Sequence, residues 1–172
     1  MQYLEETRGA FLDVTAGLSG AQWNFREADG RWSVADCAEH MAVSEAVVFG
    51  IFQKDVVSSA PRPELKEAVQ GKDELMFDRV PGRTRRVQAP EQLLPARRWP
   101  DPAETVRQFL ASRDVAVEFA KTTDLDLRSL FAEHPFLKTL DGYQWLLFLA
   151  AHSARHVAQI REVKSHPGFP QS

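Results

Sequence analysis

Four stretches of the chain repeat apolar residues every three to four positions, and none of the ten prolines falls inside any of them. That period lines apolar side chains along one face of an α-helix, so the pattern predicts four long helices. The first runs from Gln2 to Leu18, with Leu4, Phe11 and Leu18 seven apart and Ala10 and Val14 between them. The second starts at Ser33, an N-cap acceptor with Asp36 three residues on, and extends to about Val57 along Val34, Cys37, Met41, Val48 and Phe52. The third starts at Asp101, where D-P-A-E combines a capping carboxylate, a proline at the first helical position and a glutamate at N3. Val106, Leu110, Val117 and Ala120 form its predicted inner face. The fourth starts at Asp141, where D-G-Y-Q repeats the capping pattern with Gln144 at N3, and ends near Lys164, before the breaker H-P-G-F-P.

Between the second and third helices lies a proline-rich stretch, Ala60 to Pro100, with one short helical candidate from Lys72 to Arg79. Strand alternation of useful length is absent, there and elsewhere. The expected fold is therefore all-α: a four-helix bundle with a long crossover between helices 2 and 3 that carries a short extra helix, in one domain spanning residues 1–172.

Composition narrows the functions open to such a bundle. Hydrophobic residues make up 44% and charged residues 26%, the balance of a globular protein. A net charge of −3 supplies no general attraction for nucleic acid or an anionic membrane. No apolar run approaches the ~18 residues of a membrane span. The single Cys37 cannot form an internal disulfide, and the opening M-Q-Y-L-E-E lacks the basic start of a secretion signal, so a cytoplasmic protein is expected. Pairing of an exposed helix face makes a homodimer a further expectation.

The chemistry lies in the histidines. His152 and His156 are four apart on the fourth helix, a spacing that sets Cβ atoms about 5–6 Å apart on one face. Trp145, Leu149, Ile160 and Val163 share that face, so the pair points into the bundle. Alone, such a pair reads as two partly exposed or hydrogen-bonded rings ahead of a metal site. His40 adds a third imidazole at the edge of the apolar stripe of the second helix, beside Cys37 and Met41. Three histidines from two helices match the three-ligand arrangement that leaves a catalytic metal ion open positions.

These residues also carry a family resemblance. Trp32-Ser33-Val34 followed by His40, then G-Y-Q-W from Gly142 to Trp145, then A-A-H-S-A-R-H-V-A-Q-I from Ala150 to Ile160, resemble the DinB/YfiT-like superfamily of metalloenzymes. The resemblance covers nearly the whole chain. It implies a four-helix bundle with a long crossover and a divalent ion, zinc or nickel, held by His40, His152 and His156. It also implies a thiol-dependent S-transferase or isomerase that joins a low-molecular-weight thiol to a small electrophile. In one departure, H-P-F-L-K from His134 has Lys138 where the family pattern has glycine, a difference that bears on the pocket rim.

Other residues are read with their alternatives. Ser153 stands where an H-E-x-x-H protease carries its general base. Arg155 is placed either to hold a substrate carboxylate or to pack at the surface, and Gln159 to orient a ligand ring. Glu39 and Glu45 read as a solvated helix face or as bundle-edge ion pairs, and Cys37 as a core residue rather than a ligand. His134 is assigned to the pocket mouth and His166 to a turn after the last helix. The basic clusters Arg79 to Arg86 and Arg97-Arg98 read as solvated crossover, with a grip on an anionic thiol as the functional alternative. Two other readings compete with the enzyme: a non-catalytic metal-binding bundle in stress response or metal sensing, and an interaction module whose histidines point apart.

Overall fold

The fold is described from a computed structural model that covers residues 2–84 and 87–171, so Arg85 and Arg86 of the basic cluster lie outside the described residues. Four long helices form a bundle: α1 (Gln2–Thr15), α3 (Val34–Ile51), α5 (Pro102–Thr122) and α6 (Gly142–Lys164). α3 and α1 each pack against both α5 and α6, so the four close in the cyclic order α1, α6, α3, α5. A short α2 (Gly20–Asn24) lies in the first connection, and the crossover carries α4 (Lys72–Asp78) between single 3₁₀ turns.

The capping signals act as their residue types require. Ser33 and Asp36 form a reciprocal box at the start of α3, and Asp141 and Gln144 form another at the start of α6. Asp101 caps α5 through the Ala103 amide, but Glu104 turns to Arg107 and Gln108 and leaves the box unmade. α3 continues into a π-helical segment, Phe52–Val57, which accounts for the apolar pattern extending that far. α1 ends at Thr15, before Leu18, which still packs on the core from the loop.

Two features differ from the sequence expectation. The chain is not all helical: β1 (Phe131–His134) and β2 (Lys138–Asp141) pair antiparallel, Phe131 opposite Asp141 and His134 opposite Lys138. Each strand has four residues, too short for alternation to show. Its turn also explains the departure at Lys138, whose φ of 59° is in the left-handed region that favours glycine. The hairpin delivers the chain into α6. Gly142, the first residue of that helix, has no room for a side chain, since a Cβ there would stand 3.0 Å from the Leu127 carbonyl oxygen.

The second difference concerns the inner face of α5. Thr105, Phe109, Arg113 and Ala116 are the buried residues, with Val106, Leu110, Val117 and Ala120 on the flanks. Arg113 is the reason for the shift. Its side chain is fully buried and makes a two-pronged ion pair with Glu45, at 2.6 and 2.9 Å. It donates further bonds to Leu4 O, Thr7 Oγ1, Leu149 O and Ser153 Oγ. One guanidinium thus ties α5 to α3, α1 and α6. Glu45 is ion-paired, but in the core and not at the bundle edge, because that guanidinium meets both of its oxygens. Truncating one partner of such a pair strands a buried charge. Arg113→Ala is expected to cost about 3–5 kcal/mol in urea unfolding, against a much smaller loss for a double variant that replaces Glu45 and Arg113 with Leu and Met; equal losses in the two proteins would contradict this account.

Candidate metal centre

His40 sits in the second turn of α3, and His152 and His156 sit in the middle of α6, on helices that pack against each other. The three rings converge. Nε2 of His152 is 3.2 Å from Nε2 of His40 and 3.2 Å from Nε2 of His156. The ligand atoms of the three all lie within 4.8 Å of one another, and no carboxylate or thiol joins them among the described residues. The interaction-module reading required these rings to point apart, and they do not.

The far nitrogen of two rings has a partner. His40 Nδ1 lies 2.8 Å from the carbonyl oxygen of Leu93, which only accepts, so that nitrogen carries the proton. His156 Nδ1 meets the side-chain oxygen of Gln159 at 3.0 Å in the same way. In neutral rings both Nε2 atoms are then bare lone pairs aimed at the common point. A proton on His152 Nε2 serves one of them, and the Ser44 hydroxyl reaches His40 Nε2 only at 3.4 Å. One cation would satisfy all three. Two nitrogens each about 2.1 Å from one ion stand roughly 3.0–3.4 Å apart at octahedral to tetrahedral angles, and the observed pairs fall in that interval.

Electrostatics keep the rings in the ligand-ready form. Burial lowers the pKa of His40 against the opposing effect of the Leu93 bond. Burial also takes His152 and His156 well below the ordinary value, and each ring's imidazole neighbours lower it further. His40 and His156 are buried, and His152 is the partly exposed member, so the open side of the cluster lies past His152. Aromatic rings wall the rest. Trp32 stacks on His156 with centroids 5.9 Å apart and tilts against His40 at 4.9 Å, while Phe148 lies 5.8 Å from His152.

The remaining candidate residues fall elsewhere. Arg155 donates to the carbonyls of Gly82 and Val80, which fastens the crossover to α6, and Arg83 pairs with Glu162 beside it. Gln159 touches His156, as its spacing implies. Cys37 is fully buried among Phe11, Val34 and Met41, with burial pushing its thiol pKa up, and it is not among the converging groups. Ser153 is turned to Arg113. His166 follows α6 and packs on Phe25. Of its two readings Glu39 takes the ion pair: it is 5% exposed, pairs with the partly exposed Arg98 and accepts from Ala96 N. The sequence reading missed Ser44, which i,i+4 spacing from His40 could have found, and the Leu93 carbonyl, for which no residue type is diagnostic.

His134 lies in the hairpin behind Phe148, where its ring packs at 4.2 Å and its Nδ1 accepts from the amides of Phe136 and Leu137.

Comparison with known proteins agrees with the fold. The sequence model of the DinB superfamily matches residues 3–160. YuaE of Bacillus subtilis, an uncharacterized protein, is 23% identical over 165 residues, which cover 95% of this chain and 96% of that one. Among solved structures, TT2238, described as a four-helix bundle protein, superposes with a TM-score of 0.59 at 17% identity over 94% of both chains. YfiT from Bacillus subtilis, described as a probable metal-dependent hydrolase with an unusual four-helix bundle topology, gives 0.59 and 17% over 98% of this chain and 86% of its own.

A pH dependence of the metal-free protein follows. Burial lowers the pKa of His134 to about 4, against about 6.5 in the unfolded chain. Between those values the unfolded state binds a proton that the folded state refuses, so stability is complete above about pH 6.5 and falls as pH drops towards 4. His134 alone should account for a loss of about 3 kcal/mol across that window. Urea midpoints from pH 7 to 4 should fall less steeply in His134→Asn, whose side-chain oxygen can replace the Nδ1 acceptor; parallel curves would remove His134 from the account.

Proposed function

Because the chain belongs to the DinB superfamily, we propose that it is a divalent-metal-dependent enzyme that holds its ion with His40, His152 and His156 and transfers, or isomerises through, a low-molecular-weight thiol acting on a small electrophile. The observation that carries this reading is that the Nε2 atoms of His40 and His156, whose opposite nitrogens are already committed to Leu93 and Gln159, each lie 3.2 Å from Nε2 of His152. An all-imidazole set suits zinc or nickel. Three neutral ligands leave a bound divalent ion its full charge, which lowers the pKa of a coordinated thiol or water and stabilises the anion formed.

The chain's own residues favour the thiol. Ser153 fills the position of a protease base and is bonded to Arg113, and no carboxylate joins the three rings among the described residues. A thiol ordinarily ionises near 8.5 and bulk water near 15.7, so roughly seven more units must be made up for water, without a positioned proton acceptor. Trp32 and Phe148 present apolar faces beside the ion position, suited to the carbon skeleton of a small electrophile and to keeping water out. The description of YfiT supports hydrolysis as a second reading, through the same three ligands.

Elemental analysis of protein purified without chelator or nickel resin should find about one zinc or nickel per chain, and His152→Ala should lose it. The zinc-loaded protein should consume glutathione in the presence of a chromogenic aryl halide faster than the His152→Ala protein does. Turnover of a nitrophenyl ester in place of this reaction would favour hydrolysis. Bound ion without either activity would favour the metal-sensing bundle, and a protein that takes up no ion would end the metal reading.

A further inference from the structure

Glu39 is a buried acidic side chain, outside the converging imidazoles, whose carboxylate is bonded to the crossover. Its Oε1 accepts the amide hydrogen of Ala96 at 2.8 Å and a guanidinium hydrogen of Arg98 at 2.7 Å. Arg98 in turn donates to the carbonyls of Leu94, at 2.9 Å, and Gln92, at 3.3 Å. Arg97, between the two donors, has a φ of 57°, a conformation disfavoured for any residue with a Cβ. That strained residue lets Ala96 N and the Arg98 side chain reach one carboxylate. The 3₁₀ turn Glu91–Leu93 lies just before this clasp, and its last carbonyl receives the His40 Nδ1 proton.

We propose that Glu39 is a positioning residue for the metal centre: through Ala96 and Arg98 it clasps the crossover onto α3, so that the Leu93 carbonyl fixes the orientation and protonation of His40. This rests on the metal reading above and extends it to residues that touch neither ion nor substrate. The Leu93 carbonyl, 2.8 Å from His40 Nδ1, lies three residues before Ala96 in the same connection. Partners of the far nitrogen of a metal-bound imidazole typically change metal affinity by roughly 10–100-fold when removed. Linkage makes the effect reciprocal: an ion that needs His40 in this form also tightens the clasp.

The test is zinc affinity, measured by competition with a chromophoric chelator on metal-free wild type, Glu39→Gln, Glu39→Ala, Arg98→Ala and His152→Ala, together with amide exchange across residues 92–98 with and without zinc. Glu39→Ala and Arg98→Ala should weaken zinc by roughly 10–100-fold, with Glu39→Gln between them and wild type because its side-chain oxygen still accepts from Ala96. Zinc should slow exchange of the Ala96 amide in wild type and not in Glu39→Ala. Arg98 is partly exposed, so its variant tests the clasp without emptying a core position. A lower thermal midpoint with unchanged zinc affinity in Glu39→Ala and Arg98→Ala would make the clasp merely structural and overturn the proposal while leaving the metal centre intact. Wild type that binds zinc no better than His152→Ala would instead overturn the metal reading, and this proposal with it.

Discussion

Two imidazole nitrogens that have given up their protons face a third across 3.2 Å, inside a bundle where such lone pairs have little water to meet. Leaving them there without a cation is unfavourable, and protonating them is worse, because burial and mutual repulsion both oppose it. Much of the surrounding structure is arranged so that the rings cannot relax. Leu93 and Gln159 fix their protons on the outer nitrogens, and Trp32 and Phe148 fix their planes.

Holding rings from two helices to such a spacing requires those helices to keep their relative height. The Glu45–Arg113 pair supplies that constraint, because Glu45 is on the same helix as His40 and Arg113 reaches Ser153, the residue after His152. At the N-terminus of α6, the capping box at Asp141 is itself clamped by Arg128, which also pairs with Asp73 of the crossover helix α4. Buried charge is a poor source of net stability, but its geometric demands are strict, and strict geometry is what a shared ion needs. The polar core and the candidate site are therefore parts of one arrangement.

The same physics explains what could be read from the chain beforehand. The helices and their starts were legible, since Ser33, Asp101 and Asp141 are local capping signals and the apolar period is a property of each helix alone. The three histidines were legible because two share a helical face and the third lies on the stripe of another. The hairpin was not, because four-residue strands carry too little alternation and the left-handed turn at Lys138 uses a residue that does not advertise it. Nor was the polar core: Arg113, Glu45 and Glu39 look like surface residues until their partners, 36 to 109 positions away in sequence, are known. A backbone carbonyl such as that of Leu93 leaves no mark in the sequence at all.

The site depends on where three imidazole protons are, and nitrogen-15 NMR of the metal-free protein reads their positions directly. His40 and His156 should both show a protonated Nδ1 and a bare Nε2, and one equivalent of zinc should shift the Nε2 resonances of those two and of His152 together, leaving His134 and His166 in place. A proton found on Nε2 of His40 or His156, or a zinc response confined to a single ring, would contradict the account.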